Sequence, residues 1–143
     1  MTPEQIHHVR TSFARLLPIA EPAAALFYGN LFDADPSLRF MFKGDMAQQG
    51  AKLMQMIGAA VGLLDKPQVL MPVLRQLGTR HAGYGVQTQH YATVQFALLK
   101  TLEQGLGDEF GPATREAWVT MLSLVSGLMI EAAEQREREA AAA

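Results

Sequence analysis

Leu77-Gly78-Thr79-Arg80-His81-Ala82-Gly83-Tyr84-Gly85-Val86 is the stretch on which the reading of this chain turns. It closes a run in which Leu70, Val73, Leu74, Leu77, His81 and Tyr84 recur at the three- and four-residue spacing of one helix face. Gly83 and Gly85 mark where that helix ends. His81 lies one turn after Leu77, so its imidazole is expected to point inward with the leucines. Taken alone, a histidine on an apolar face is more often a hydrogen-bonded core residue than a ligand.

The same helical periodicity extends in both directions, and no window shows the two-residue alternation of a strand. Upstream, Met46, Gln49, Gly50, Leu53, Ile57, Ala60 and Leu64 form one inward stripe, ended by Lys66-Pro67. A first helix opens on Thr2, Pro3 and Gln5, a capping-box pattern, and should reach about Leu17. Pro18 and Pro22 interrupt it, and a second apolar segment runs from Ala23 to Phe32. Asp35-Pro36 starts a short helix expected to carry Leu38, Phe40 and Phe42. Downstream, two longer helices span about 88 to 106 and 112 to 138, so the chain reads as all-α with six or seven helices. Residues from about 134 to 143 are expected to form a solvated helix end, with a Glu134–Arg138 pair. With no repeat and no linker, residues 1–143 read as one domain.

Composition narrows the chemistry. The 143 residues are 49% hydrophobic and 18% charged, enough for one core that buries about two thirds of the unfolded surface. A net charge of −2 gives no basic field, which argues against a nucleic-acid partner. The absence of cysteine excludes disulfides, Fe–S clusters, thiolate zinc sites and cysteine nucleophiles, leaving His7, His8, His81 and His90 as soft metal ligands. His7, His8 and His90 are expected to face solvent. Motifs for serine hydrolases, P-loops, dinucleotide folds and zincins do not occur. A polar N-terminus and the lack of a long apolar run predict a cytoplasmic protein without a membrane partner. Chemistry, if there is any, must then come with a bound cofactor.

Polar residues intrude on two further apolar stretches. Gln49 interrupts its stripe, and Tyr28 sits within Leu26-Phe27-Tyr28. Left unsatisfied inside a core, each would cost roughly 1 to 3 kcal/mol, so together with His81 they suggest a shared polar partner, although each could bond locally to backbone. Gly50, a helix-interior glycine, points to a close crossing, with Ala23-Ala24-Ala25 as the opposite face.

With these residues in place, the chain resembles the globin family. It is most similar to bacterial single-domain globins related to the haem domain of flavohaemoglobins, with further likeness to neuroglobin. The resemblance covers nearly the whole chain. It rests on Leu26-Phe27-Tyr28-x-Asn30-Leu31-Phe32, Pro36 followed by Phe42, Gln49-x-x-Lys52-Leu53-Met54, the His81 block, and Phe110-x-Pro112-Ala113-Thr114-Arg115-x-Ala117-Trp118.

The resemblance implies a globin fold holding haem b, with His81 as the proximal iron ligand and the Leu77 carbonyl as acceptor for its other ring nitrogen. It implies that Phe42, Leu53, Ile57 and Val86 line the haem, that Lys52 and Arg80 reach its propionates, and that Tyr28 and Gln49 are distal hydrogen-bond donors. Such donors favour dioxygen, whose complex with ferrous iron carries negative charge, so high oxygen affinity is expected. The gas partners implied are O2, NO and CO. Tyr91 matches the tyrosine of a proximal network in flavohaemoglobins, but the matching glutamate position holds Ala133, with Glu131 and Glu134 turned away by about 100° or more. Reversible gas binding is therefore expected ahead of peroxidase-like chemistry. Nitric oxide dioxygenation would need a separate reductase or a cellular reductant, and the alternative is a gas or redox sensor acting through a partner protein. The expected assembly is a monomer or a weak homodimer.

Overall fold

The computed structural model describes residues 1–142, and among them lie six α-helices joined by short turns, with no strand. The all-α expectation therefore holds. Helix α1 (Pro3–Leu16) begins with the capping box: the Gln5 N–H donates to Thr2 Oγ1 at 3.1 Å, and the Thr2 N–H donates to Gln5 Oε1 at 3.0 Å. It buries Val9, Phe13 and Leu16. A 3-10 turn at Leu17–Ile19 passes the chain directly into α2 (Ala20–Ala34), which starts earlier than the expected Ala23. Pro22 falls in the first turn of α2, where its missing N–H forfeits no intrahelical bond.

A 3-10 segment, Pro36–Met41, follows, its first turn capped by Asp35 accepting from the Ser37 N–H. It corrects one expectation: Leu38 is buried, but Phe40 is 81% exposed. Three residues per turn bring Leu38 and Met41 onto one face and turn Phe40 to the other. Helix α3 (Met46–Gly62) is capped by Asp45, and α4 (Pro67–Gly83) opens on Pro67. In α4 the inward residues are Leu70, Leu74 and Gly78, with Leu77 and His81 half-buried. Val73 and Tyr84 are exposed, contrary to expectation, because Val73 lies beside the stripe and Tyr84 follows the last helical residue.

Helices α5 (Thr88–Leu106) and α6 (Pro112–Ala142) complete the fold, with Gly107 turning between them at φ +56°. The last helix runs past the expected end at residue 138, and residues 134–142 are exposed. The Glu134–Arg138 pair does not form; Gln135 donates to Glu139 at 3.1 Å instead. Ala143 lies outside the described residues. By length and mean hydropathy (1.3 over its most apolar window) α6 could cross a membrane, yet its Ala117, Trp118, Met121, Leu122 and Met129 lie in the core against α1, α4 and α5.

Two close crossings set the frame. A Cβ at Gly78 would lie 2.6 Å from Met129 Cα, so α4 and α6 meet backbone to backbone. A Cβ at Gly50 would lie 2.9 Å from Ala24 Cβ, so α3 crosses α2 on the alanine face expected from the sequence. Buried polar bonds tie the rest. Trp118 Nε1 donates to Ser12 Oγ at 2.7 Å, joining α6 to α1, and Asn30 Nδ2 donates to Thr101 Oγ1 at 3.0 Å, joining α2 to α5. Helices α3 and α4, in contrast, are packed on these partners and hardly on each other.

Candidate functional site

The separation of α3 and α4 determines the character of the surface between them. Leu53 and Ile57 on α3, Leu77 and His81 on α4, Val86 after it, and Val94 and Leu98 on α5 are all only half-buried, though each packs beside a core cluster or its helix neighbours. Of these, Leu53, Ile57 and Leu98 line a small apolar cavity, whose walls do not include Leu77, His81 or Val86. Val94 and Leu98 were not anticipated from the sequence; their signal is the spacing Tyr91, Val94, Leu98, one face of α5.

His81 is half-buried, in the last turn of α4. Its Nδ1 lies 2.8 Å from the Leu77 carbonyl oxygen. A carbonyl only accepts, so the Nδ1 carries the proton and donates, and the neutral ring keeps its lone pair on Nε2. That nitrogen makes no hydrogen bond among the described residues. The backbone beneath is equally fixed: the Val86 N–H donates to the His81 carbonyl at 3.0 Å, which folds Val86 back against the end of α4. Tyr91, buried on α5 and packed with Val86 in the main cluster, has a hydroxyl with no hydrogen-bond partner. Burial pushes its pKa up, as it does for Tyr28.

On the α2 side, Tyr28 is buried in an aromatic cluster. Its ring meets Phe42 and Phe27 edge-on, with centroids at 5.2 and 5.0 Å, and stacks on Phe32 at 6.0 Å. Leu53, Val94 and Leu98 pack against the same cluster. Tyr28 and Phe42 also line an open groove of ≈ 790 Å³ between α2 and α3. Gln49 is half-buried on α3 but does not line that groove, and its amide makes no side-chain hydrogen bond among the described residues. Lys52 and Arg80 are exposed and enter no ion pair among the described residues. His7 is exposed, as expected, and His8 is half-buried. His90 differs from expectation: it is half-buried and its Nδ1 accepts from the Gln87 N–H at 2.9 Å, capping α5.

The donor set fits a haem. Among the described residues no three His, Asp or Glu side chains converge, so a metal held by protein ligands alone has no site. A single oriented imidazole with its Nε2 lone pair available, on a helix face shared with Leu70, Leu74 and Leu77, suits a metal whose other ligands come with the cofactor. The Tyr91 hydroxyl is a further buried polar group without a hydrogen-bond partner among the described residues.

The globin family model matches residues 25–129, and the chain belongs to the globin family, whose members bind diatomic gases through haem. It is 33% identical to neuroglobin of Danio rerio over 135 residues, covering 85% of each chain. It is 29% identical to a flavohemoprotein of Bordetella parapertussis over 134 residues, covering 91% of this chain and 33% of that one. In fold it is similar to an engineered carbene transferase from Rhodothermus marinus (TM-score 0.87, 24% identity, 99% of each chain). A bacterial globin from Campylobacter jejuni gives a TM-score of 0.83 at 22% identity, over 96% of this chain and 99% of that one.

Proposed function

We propose that this globin holds haem b on His81 and binds dioxygen reversibly at high affinity, with NO and CO as competing ligands. The observation that carries the reading is the 2.8 Å contact of His81 Nδ1 with the Leu77 carbonyl, which orients the ring and reserves Nε2 for a metal. Haem supplies an iron centre that coordinates diatomic gases reversibly. Phe42, Leu53, Ile57, Leu77 and Val86 present apolar surface to it and keep water out. Lys52 and Arg80, exposed and without ion pairs, suit the propionates at the rim. Tyr91 offers its unpartnered hydroxyl from the proximal side.

Tyr28 and Gln49 are the proposed distal donors. Burial holds the Tyr28 hydroxyl protonated above the ordinary tyrosine range, so it remains a donor across physiological pH. A hydrogen bond to a partly anionic ligand contributes about 1.5 to 3 kcal/mol, or roughly ten- to a hundredfold in ligand dissociation.

Nitric oxide dioxygenation extends this reading. Its balance, NO + O2 + e⁻ → NO3⁻, needs one electron per turnover, which this chain's residues do not supply, so a separate reductase or cellular reductant in the cytoplasm would provide it. The flavohemoprotein likeness supports the activity. Nitric oxide consumption under air tests it: many turnovers with a reductant and a single turnover without one are expected. Failure to exceed one turnover with reductant present would limit the protein to binding.

A further inference from the structure

Past the core, α6 carries Arg136 back against the last residue of α4, Gly83. A Cβ at Gly83 would lie 3.3 Å from Arg136 Nη1, 3.6 Å from Nη2 and 3.7 Å from Cζ, so the glycine leaves room for the guanidinium. Arg136 is exposed and enters no ion pair among the described residues. Glu139, three residues on, accepts instead from Gln135 Nε2 at 3.1 Å. The carbonyls of Arg80, His81 and Ala82 already accept from the N–H groups of Tyr84, Val86 and Gly85. What favours a cation here is the negative end of the α4 dipole, together with the packing on Gly83.

Gly83 follows His81 by two residues, about 3 Å along the helix axis and about 200° around it. The guanidinium therefore lies across the helix from the imidazole and acts on it by charge alone. Ferric haem carries one positive charge more than ferrous haem, so a fixed cation near the iron ligand disfavours oxidation. Exposure weakens this field without abolishing it, and makes it sensitive to salt. We infer that Arg136 raises the reduction potential of the His81 site and so favours the ferrous state that gas binding needs. The role rests on the haem-binding reading of His81 and adds what opposes oxidation there.

Spectroelectrochemical titration of the haem-loaded protein tests it. In low salt, Arg136→Gln should lower the equilibrium constant for reduction about threefold, or roughly 30 mV, and Arg136→Lys should restore most of the difference. Arg138→Gln removes the same charge two residues further on, where the side chain reaches Gln135 at 3.5 Å, and should leave the potential unchanged. The gap between wild type and Arg136→Gln should close in about 1 M salt, where the screening length is about 3 Å. Should Arg136→Gln alter the far-UV spectrum, Arg136→Met, which keeps an unbranched side chain without the charge, takes its place. A potential indifferent to residue 136, equal shifts in the 136 and 138 variants, or a gap that ignores salt overturns the role. A chain that takes up no haem overturns the gas-binding reading as well, whereas normal CO spectra with an unmoved potential overturn the role of Arg136 alone.

Discussion

The two glycine crossings of this globin differ in what they touch. Gly78 sets α4 against the backbone of α6 at Met129, whereas Gly50 sets α3 against a single methyl of α2, that of Ala24. An alanine Cβ moves only with its backbone, so both contacts yield only by helix movement, but a Cβ at Gly78 would meet several backbone atoms of Met129 at closer range and one at Gly50 a single methyl at 2.9 Å. The proximal half, where His81 sits one turn beyond Gly78, is thus rigidly mounted. The α2–α3 side, where Tyr28 lines the groove and Gln49 does not, rests on the lighter contact. Under the proposed function, the firmer crossing lies near the His81 end and the lighter one near Tyr28.

Gly78→Ala should show the largest effect. Helix propensity would gain about 1 kcal/mol, but forced separation of α4 from α6 should outweigh it and leave a net loss of about 2 kcal/mol or more. Chemical denaturation would measure this, and a variant as stable as the wild type would mean the crossing is not tight. Tyr28→Phe should come next, speeding oxygen dissociation roughly ten- to a hundredfold with little change in stability. An unchanged rate by stopped flow would mean that the hydroxyl serves the groove and not the ligand.

Gly50→Ala should be milder, within about 1 kcal/mol of neutral, because the propensity gain and the methyl clash oppose each other. Its signature should be kinetic, a change in oxygen dissociation through the moved Tyr28, and Ala24→Gly in the same chain should restore it. The smallest expected effect is alkaline. The fold favours the neutral form of Tyr28 and Tyr91, so their contribution is intact below the pH where an unfolded tyrosine ionises, about 10. It is lost as pH rises through the higher folded values. Stability should fall above that pH, and less steeply in Tyr91→Phe; identical slopes would remove Tyr91 as a cause.

Particular residues explain which features were legible beforehand. Helix starts at Thr2 and Pro67 and the Gly50–Ala24 crossing could be read because caps, proline and glycine act locally. The His81–Leu77 bond follows from one turn of helix geometry. Phe40 and Tyr84 could not be placed by periodicity, because each lies where α-helical geometry gives way to a 3-10 turn or a helix end. The half-burial of His90 has no sign in the sequence, because its cap on the Gln87 N–H depends on the loop before α5. Val94 and Leu98 are marked only by their spacing from Tyr91, a pattern that residues in solid core show equally.

The visible spectrum of the purified protein, wild type beside His81→Ala, bears on all of this at once. The wild type should show a Soret band and a CO-induced shift in the reduced form, and His81→Ala should lose haem or change its axial-ligand signature. A wild type without a Soret band after haem addition, or a His81→Ala spectrum matching the wild type, would contradict the assignment of His81 and the function built on it.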